Sequence, residues 1–232
     1  MNLISYPDRA VQAEQLAQLV ADELQLAIQT KAKATAAFAG GTTPVLFFKA
    51  LAKQSVDWSK VVFTLTDERQ VEPTNERSNA RLLQTNLLAS LEPAASFQAL
   101  YQFGQTKADL AKLAGKLQDE FLPLDSVVLG MGNDGHFASL FPQAANLDWG
   151  LDPKNSEVLL EIQAPDLPEA RISFSLAALL QAKHLHLLIT GADKHQLLEQ
   201  AQANLAASQP RQWPIEALLQ QAGDKLMIHY AP

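Results

Sequence analysis

Residues 125–142 read DSVVLGMGNDGHFASLFP. Val127, Val128 and Leu129 form an unbroken apolar run, the pattern of a strand buried on both faces. The run leads directly into a turn that holds Gly130, Gly132 and Gly135, with Asp134 and His136 beside them. Glycine reaches backbone conformations closed to other residues and lets a ligand approach the chain closely. A carboxylate and an imidazole are equipped for proton transfer. Open α/β sheets bind ligands beyond the carboxyl ends of their strands, so the stretch predicts both a buried strand and a site at its mouth.

The flanking sequence alternates between helix and strand. Residues 8–31 carry Leu16, Leu19, Val20, Leu24, Ala27 and Ile28 at helical spacing. A short strand over 34–39 ends at Gly40-Gly41, and a helix follows over 43–53 with Pro44 suited to its first turn. A strand over 61–66 is stopped by Asp67-Glu68-Arg69, and the polar loop 71–77 precedes a helix over 78–90. Further helices are expected over 107–120, 194–206 and 215–221, and strands over 125–130, 157–162, 171–174, 184–190 and 225–230. The proline-bearing residues 142–168 read as an excursion from the sheet. This alternation argues an α/β fold: one domain over 1–232, a Rossmann-like, mainly parallel sheet with helices on both faces.

Composition narrows the functions. With 47% hydrophobic residues in 232, the chain can build a substantial core. The absence of cysteine excludes disulfides, a cysteine nucleophile and thiolate metal sites, and it fits a reducing compartment. A net charge of −7 without a basic stripe argues against nucleic-acid binding. The N-terminal residues show neither the basic nor the apolar region of a secretory signal, and no run approaches a membrane span. A cytoplasmic protein is expected.

Four loops can carry chemistry, and each has a plainer reading. Gly40-Gly41-Thr42-Thr43-Pro44 offers N–H groups and hydroxyls to a phosphate, or is a tight turn with a threonine N-cap. Asp67-Glu68-Arg69 supplies an acid/base carboxylate and an anion-binding arginine, or is a solvated charged loop. Asp134 and His136 form a proton-transfer pair, or His136 is structural. Arg171 opens a strand, and Lys194 in TGADK can reach a phosphate from a helix start or lie on the surface. His184 and His186 share a strand face without a suitably spaced third ligand, so packing is the better reading and no metal is expected. Ser139 lies outside the G-x-S-x-G elbow of a serine hydrolase. All four loops follow strands, so a parallel sheet would gather them along one edge around a small phosphorylated substrate. Gly130-x-Gly132-x-x-Gly135 spells a dinucleotide fingerprint, but Pro142 interrupts the crossover helix that the fingerprint requires.

GGTTP, TDERQVEPTNERSN, LGMGNDGHFASLFP, RISFS and TGADK occur in the order found in the 6-phosphogluconolactonases, and the chain resembles that family over almost its entire length. The resemblance implies hydrolysis of 6-phosphogluconolactone in the oxidative pentose phosphate pathway, a small phosphorylated sugar lactone as partner, and no metal or organic cofactor. It implies that His136 is a general base, that Asp134 orients it and that Asp67 organises the pocket. Gly40, Gly41, Thr42 and Thr43 would seat the phosphate with Arg69 and Lys194, while Gly132 and Arg171 would also contribute to substrate binding. Thr42 stands where serine is frequent, Val45 where a basic residue is frequent, and the C-terminal HYAP lacks a frequent acidic residue. A deaminase-like isomerase of the same fold group is the nearest rival. It would carry Asp-Glu-Tyr at 67–69 and Asn-Glu at Leu140-Phe141. A sugar-phosphate sensor without catalysis is a rival of another class, and it would be expected to lose Asp134 or His136.

Overall fold

Unbroken apolar strands need helices on both faces, and the structure provides them. It is a computed structural model that describes residues 2–165 and 167–232. The first half of the chain comprises β1 (Asn2–Ser5), α1 (Arg9–Lys31), β2 (Ala34–Phe38), α2 (Val45–Leu51), β3 (Val61–Leu65), β4 (Asp67–Arg69), α3 (Asn79–Asn86) and β5 (Ser96–Phe97). There follow α4 (Lys107–Glu120), β6 (Ser126–Gly130), α5 (Leu147–Leu151), β7 (Leu159–Ile162), β8 (Arg171–Phe174), α6 (Leu176–Leu179), β9 (His184–Thr190), α7 (Ala192–Ala206), α8 (Pro214–Ala222) and β10 (Leu226–Ala231).

Seven strands form one sheet in the order β1-β10-β9-β6-β2-β3-β5, and every neighbouring pair is parallel. The chain runs outward from β2 through β3 to β5, then returns to β6 and continues through β9 and β10. The direction of winding therefore reverses between β2 and β6, which opens a crevice at their carboxyl ends. All five residues of β2 are buried. α1 turns Leu16, Val20, Leu24 and Ile28 inward. Asp8 caps it by accepting from the N–H groups of Ala10 and Val11, and Ala32 ends it in the left-handed conformation.

Several expectations need correction. Asp67-Glu68-Arg69 is the strand β4, not a charged loop. It pairs antiparallel with β8, and β8 pairs antiparallel with β7, forming a separate three-stranded sheet. β1 and β5 were not anticipated, because both are short edge strands with too few apolar residues to show a period. The helix expected over 78–90 stops at Asn86 and gives way to a 3₁₀ turn at Leu88–Ser90. The excursion expected over 142–168 agrees with the structure, where α5 and then β7 leave the seven-stranded sheet and β7, expected over 157–162, joins the small one.

Candidate active site

The loops after β2, β3, β6 and β9 meet around a cavity of about 230 Å³. Its wall includes Gly40, Gly41, Thr42 and Thr43 after β2, Asp67 and Arg69 on β4, Gly132 and His136 after β6, and Lys194 on α7. Nine of the eleven residues singled out from sequence thus border one space. Asp134 and Arg171 lie outside the wall, each against a residue that forms it.

The turn after β6 is built around its histidine. His136 Nδ1 lies 2.5 Å from Asp134 Oδ1, and Gly132 N–H donates to the His136 carbonyl at 2.9 Å. Burial disfavours the Asp134 carboxylate, but the hydrogen bond and charge of His136 outweigh it and hold that carboxyl below its ordinary value. With Nδ1–H donated to Asp134, the neutral ring presents Nε2 as an acceptor. Gly132 is required by close approach, since a Cβ there would lie 2.2 Å from His136 Cε1. No helix follows this turn until the five-residue α5, so the structural context of a dinucleotide fingerprint is missing.

The opposite wall rests on Asp67. Its carboxylate accepts from Ser139 Oγ at 2.6 Å and Thr66 Oγ1 at 3.2 Å, while its backbone carbonyl accepts from Asn79 Nδ2 at 2.9 Å. Asn79 also lines the cavity and lies against the first loop, because a Cβ on Gly40 would meet Asn79 Oδ1 at 2.0 Å. Asn79 and Ser139 were not singled out as site residues. Ser78-Asn79 at the start of a helix was a visible signal for the first; Ser139 was weighed only as a nucleophile, and its bond to Asp67 could not be read locally. The threonine N-cap reading of GGTTP fails: the N-cap of α2 is Pro44, without a side-chain cap. The hydroxyls of Thr42 and Thr43 are therefore not used in capping that helix.

Positive charge is concentrated beside these groups. Arg69 and Arg171 are directly paired across β4 and β8. Arg77 Nη2 donates to Glu169 Oε1 at 2.8 Å, and Arg171 Nη2 stands 3.2 Å from the same oxygen as an ion pair. Like charges at directly opposed strand positions cost stability. Burial first, and then the charge of Arg69, pushes the Arg171 guanidinium below its ordinary range. Lys194 is likewise lowered, by burial and then by the charge of Arg9. Among the described residues, the buried Nε atoms of Arg69 and Arg171 have no hydrogen-bond partner.

Fold and cavity together define a doubly wound α/β protein with two arginines and a lysine along one edge and an aspartate–histidine pair at its switch point. The chain belongs to the family described as glucosamine-6-phosphate isomerases/6-phosphogluconolactonase, whose profile matches residues 7–228. It is 40% identical over 232 residues to a 6-phosphogluconolactonase of Rhizobium meliloti, covering 100% of this chain and 99% of that one. It is 38% identical over 224 residues to a 6-phosphogluconolactonase of Pseudomonas aeruginosa, covering 96% and 92%. A crystal structure of a 6-phosphogluconolactonase from Shewanella baltica is similar with a TM-score of 0.90 and 32% identity, covering 100% of this chain and 98% of that one. No helix among the described residues is long and apolar enough to cross a membrane.

Proposed function

We propose that the protein hydrolyses 6-phospho-D-glucono-1,5-lactone to 6-phosphogluconate, in the cytoplasm, as a step of the oxidative pentose phosphate pathway. The observation that carries this reading is the His136 ring, with Nδ1 2.5 Å from Asp134 and the residue at the wall of the cavity. In the proposed mechanism Nε2 takes a proton from water as its oxygen attacks the lactone carbonyl. The carbonyl carbon–ring oxygen bond then breaks, and the imidazolium returns the proton to the departing oxygen. Asp134 holds the ring and offsets its transient charge. Gly41, Thr42 and Thr43 seat the phosphate with Arg69 and Lys194, and Arg171 adds positive charge from behind Arg69. Binding energy from this remote group orients the ester against the water. The relatives named 6-phosphogluconolactonase support the choice of substrate. A ring-opening deaminase would need a further acid/base group, and Leu140-Phe141 supplies none.

The test is acid release from freshly generated lactone above its spontaneous rate. His136→Ala is expected to lower turnover by roughly 10²–10⁴-fold. A folded His136→Ala protein with wild-type turnover overturns the mechanism. No step calls on a metal or organic cofactor, so activity is expected to survive exhaustive chelation and dialysis. Loss of activity that an added metal restores would contradict it.

A further inference from the structure

We propose that Phe141 is a positioning residue, whose ring sets the plane of the His136 imidazole and ties it to the arginine pair. The proposal rests on the reading of His136 as the base. A single hydrogen bond to Asp134 chooses which nitrogen carries the proton. It does not by itself fix the side-chain torsions, and a small rotation moves Nε2 away from the attacking water. The Phe141 ring removes that freedom. Its centroid lies 4.1 Å from that of His136, with the planes inclined by 36°. Gly132 gives the same imidazole its room, since a Cβ there would lie 2.2 Å from Cε1 and 2.3 Å from Nδ1.

Phe141 has a second neighbour. The Cζ atom of Arg171 lies 6.0 Å from the centroid of its ring. That guanidinium is buried, ion-paired through Nη2 with Glu169 at 3.2 Å and paired across the strands with Arg69. A cation near an aromatic face is attracted by the ring quadrupole. One half-buried phenyl group, packed against the core, thus stands between His136 and Arg171, the cross-strand partner of Arg69. Packing of this kind governs the geometry of attack more than the capture of substrate.

Phe141→Leu keeps an apolar side chain and removes the flat ring. It is expected to lower kcat by roughly tenfold to a hundredfold with KM within about twofold, since small misplacements of a reacting group cost this much. The downfield proton resonance of His136 Nδ1–H should broaden in the same variant, while Phe141→Tyr restores both kcat and the resonance. If Phe141→Leu does not fold, Phe141→Met is read in the same way. Wild-type kcat and an unchanged resonance in a folded Leu or Met variant overturn the proposal, as does equal loss of rate in the Tyr variant. His136→Ala is assayed alongside: if it retains activity, the base itself is wrongly assigned, whereas its inactivity beside a fully active Phe141→Leu condemns the positioning role alone.

Discussion

Gly132 shows how little room the active residues have. A methyl group there would overlap His136 Cε1 and lie 2.7 Å from Asp134 Oδ1. The imidazole, 27% exposed, has solvent into which it can swing. Gly132→Ala is therefore expected to fold and to lose roughly tenfold or more in kcat. A melting curve and steady-state kinetics check both halves, and wild-type kcat would show that the ring position is not critical. Arg69 and Lys194 make a different demand, because they would meet the phosphate rather than the reacting carbonyl. Replacing either by Ala should cost about 1.5–3 kcal/mol of substrate capture, the value of a charged hydrogen bond. Competition by 6-phosphogluconate should weaken in parallel. If both variants bind this product as wild type does, the phosphate lies elsewhere.

The elements that could be read from sequence are those whose burial is written locally. β2, β3, β6 and β9 are apolar runs closed by glycine or charge, and α4 and α7 show helical spacing, so the parallel sheet and the edge that gathers GGTTP, DER, GNDGH and TGADK were legible. β4 was not. Its three residues are all charged, and they form a strand because Asp67, Glu68 and Arg69 meet Ser173, Ile172 and Arg171 from far along the chain. The role of Ser139 was not legible for the same reason, since it depends on Asp67 in the distant strand β4. Glu68 is the fullest case of meaning supplied by distant contacts. It is buried, and it accepts from the N–H groups of Arg69, Asn79 and Ala80 and from Ser78 Oγ, so one carboxylate joins β4 to the start of α3. Burial pushes its carboxyl above the usual range, against the pull of these donors. Glu68→Ala would strand four donors, with an expected loss of more than about 3 kcal/mol in urea unfolding. It would also let Arg69 and Asn79 drift from the cavity, raising KM. A variant as stable as wild type with unchanged KM would show that this clamp does not hold the wall.

At the scale of the whole molecule, a buried polar chain crosses the interface between α1 and the sheet, away from the cavity. Tyr6 OH lies 2.7 Å from His229 Nδ1, His229 Nε2 lies 3.1 Å from His186 Nδ1, and His186 Nε2 lies 3.0 Å from Glu23 Oε1. His184 Nδ1 stands 3.4 Å from the same carboxylate oxygen, and Gln12 Nε2 donates to the carbonyls of Ile189 and His229. With Glu23 ionised, one tautomer assignment satisfies every link: Tyr6 donates to His229, His229 to His186, and His186 to Glu23. Such a chain joins Tyr6, just after β1, to β10, β9 and α1, and it needs His229 neutral. Burial, and then the charge of His186, pushes the His229 pKa down to about 3. In the unfolded chain that imidazole titrates near its usual value of about 6.5. Between these values the unfolded state binds the extra proton, so the contribution of His229 is complete above about pH 6.5 and is lost as pH falls toward about 3. The carboxylates that ion pairs and hydrogen bonds hold low, such as Asp125 and Asp134, matter only at more acid pH. Between pH 6.5 and 5 His229 alone should lower the unfolding free energy by about 1 kcal/mol per pH unit, a contribution that its replacement removes. His229→Gln should be less stable at pH 7 and show a shallower slope across the interval, measured by urea unfolding at each pH. An unchanged slope in that variant would place the acid sensitivity elsewhere and leave the chain a purely structural join between helix and sheet.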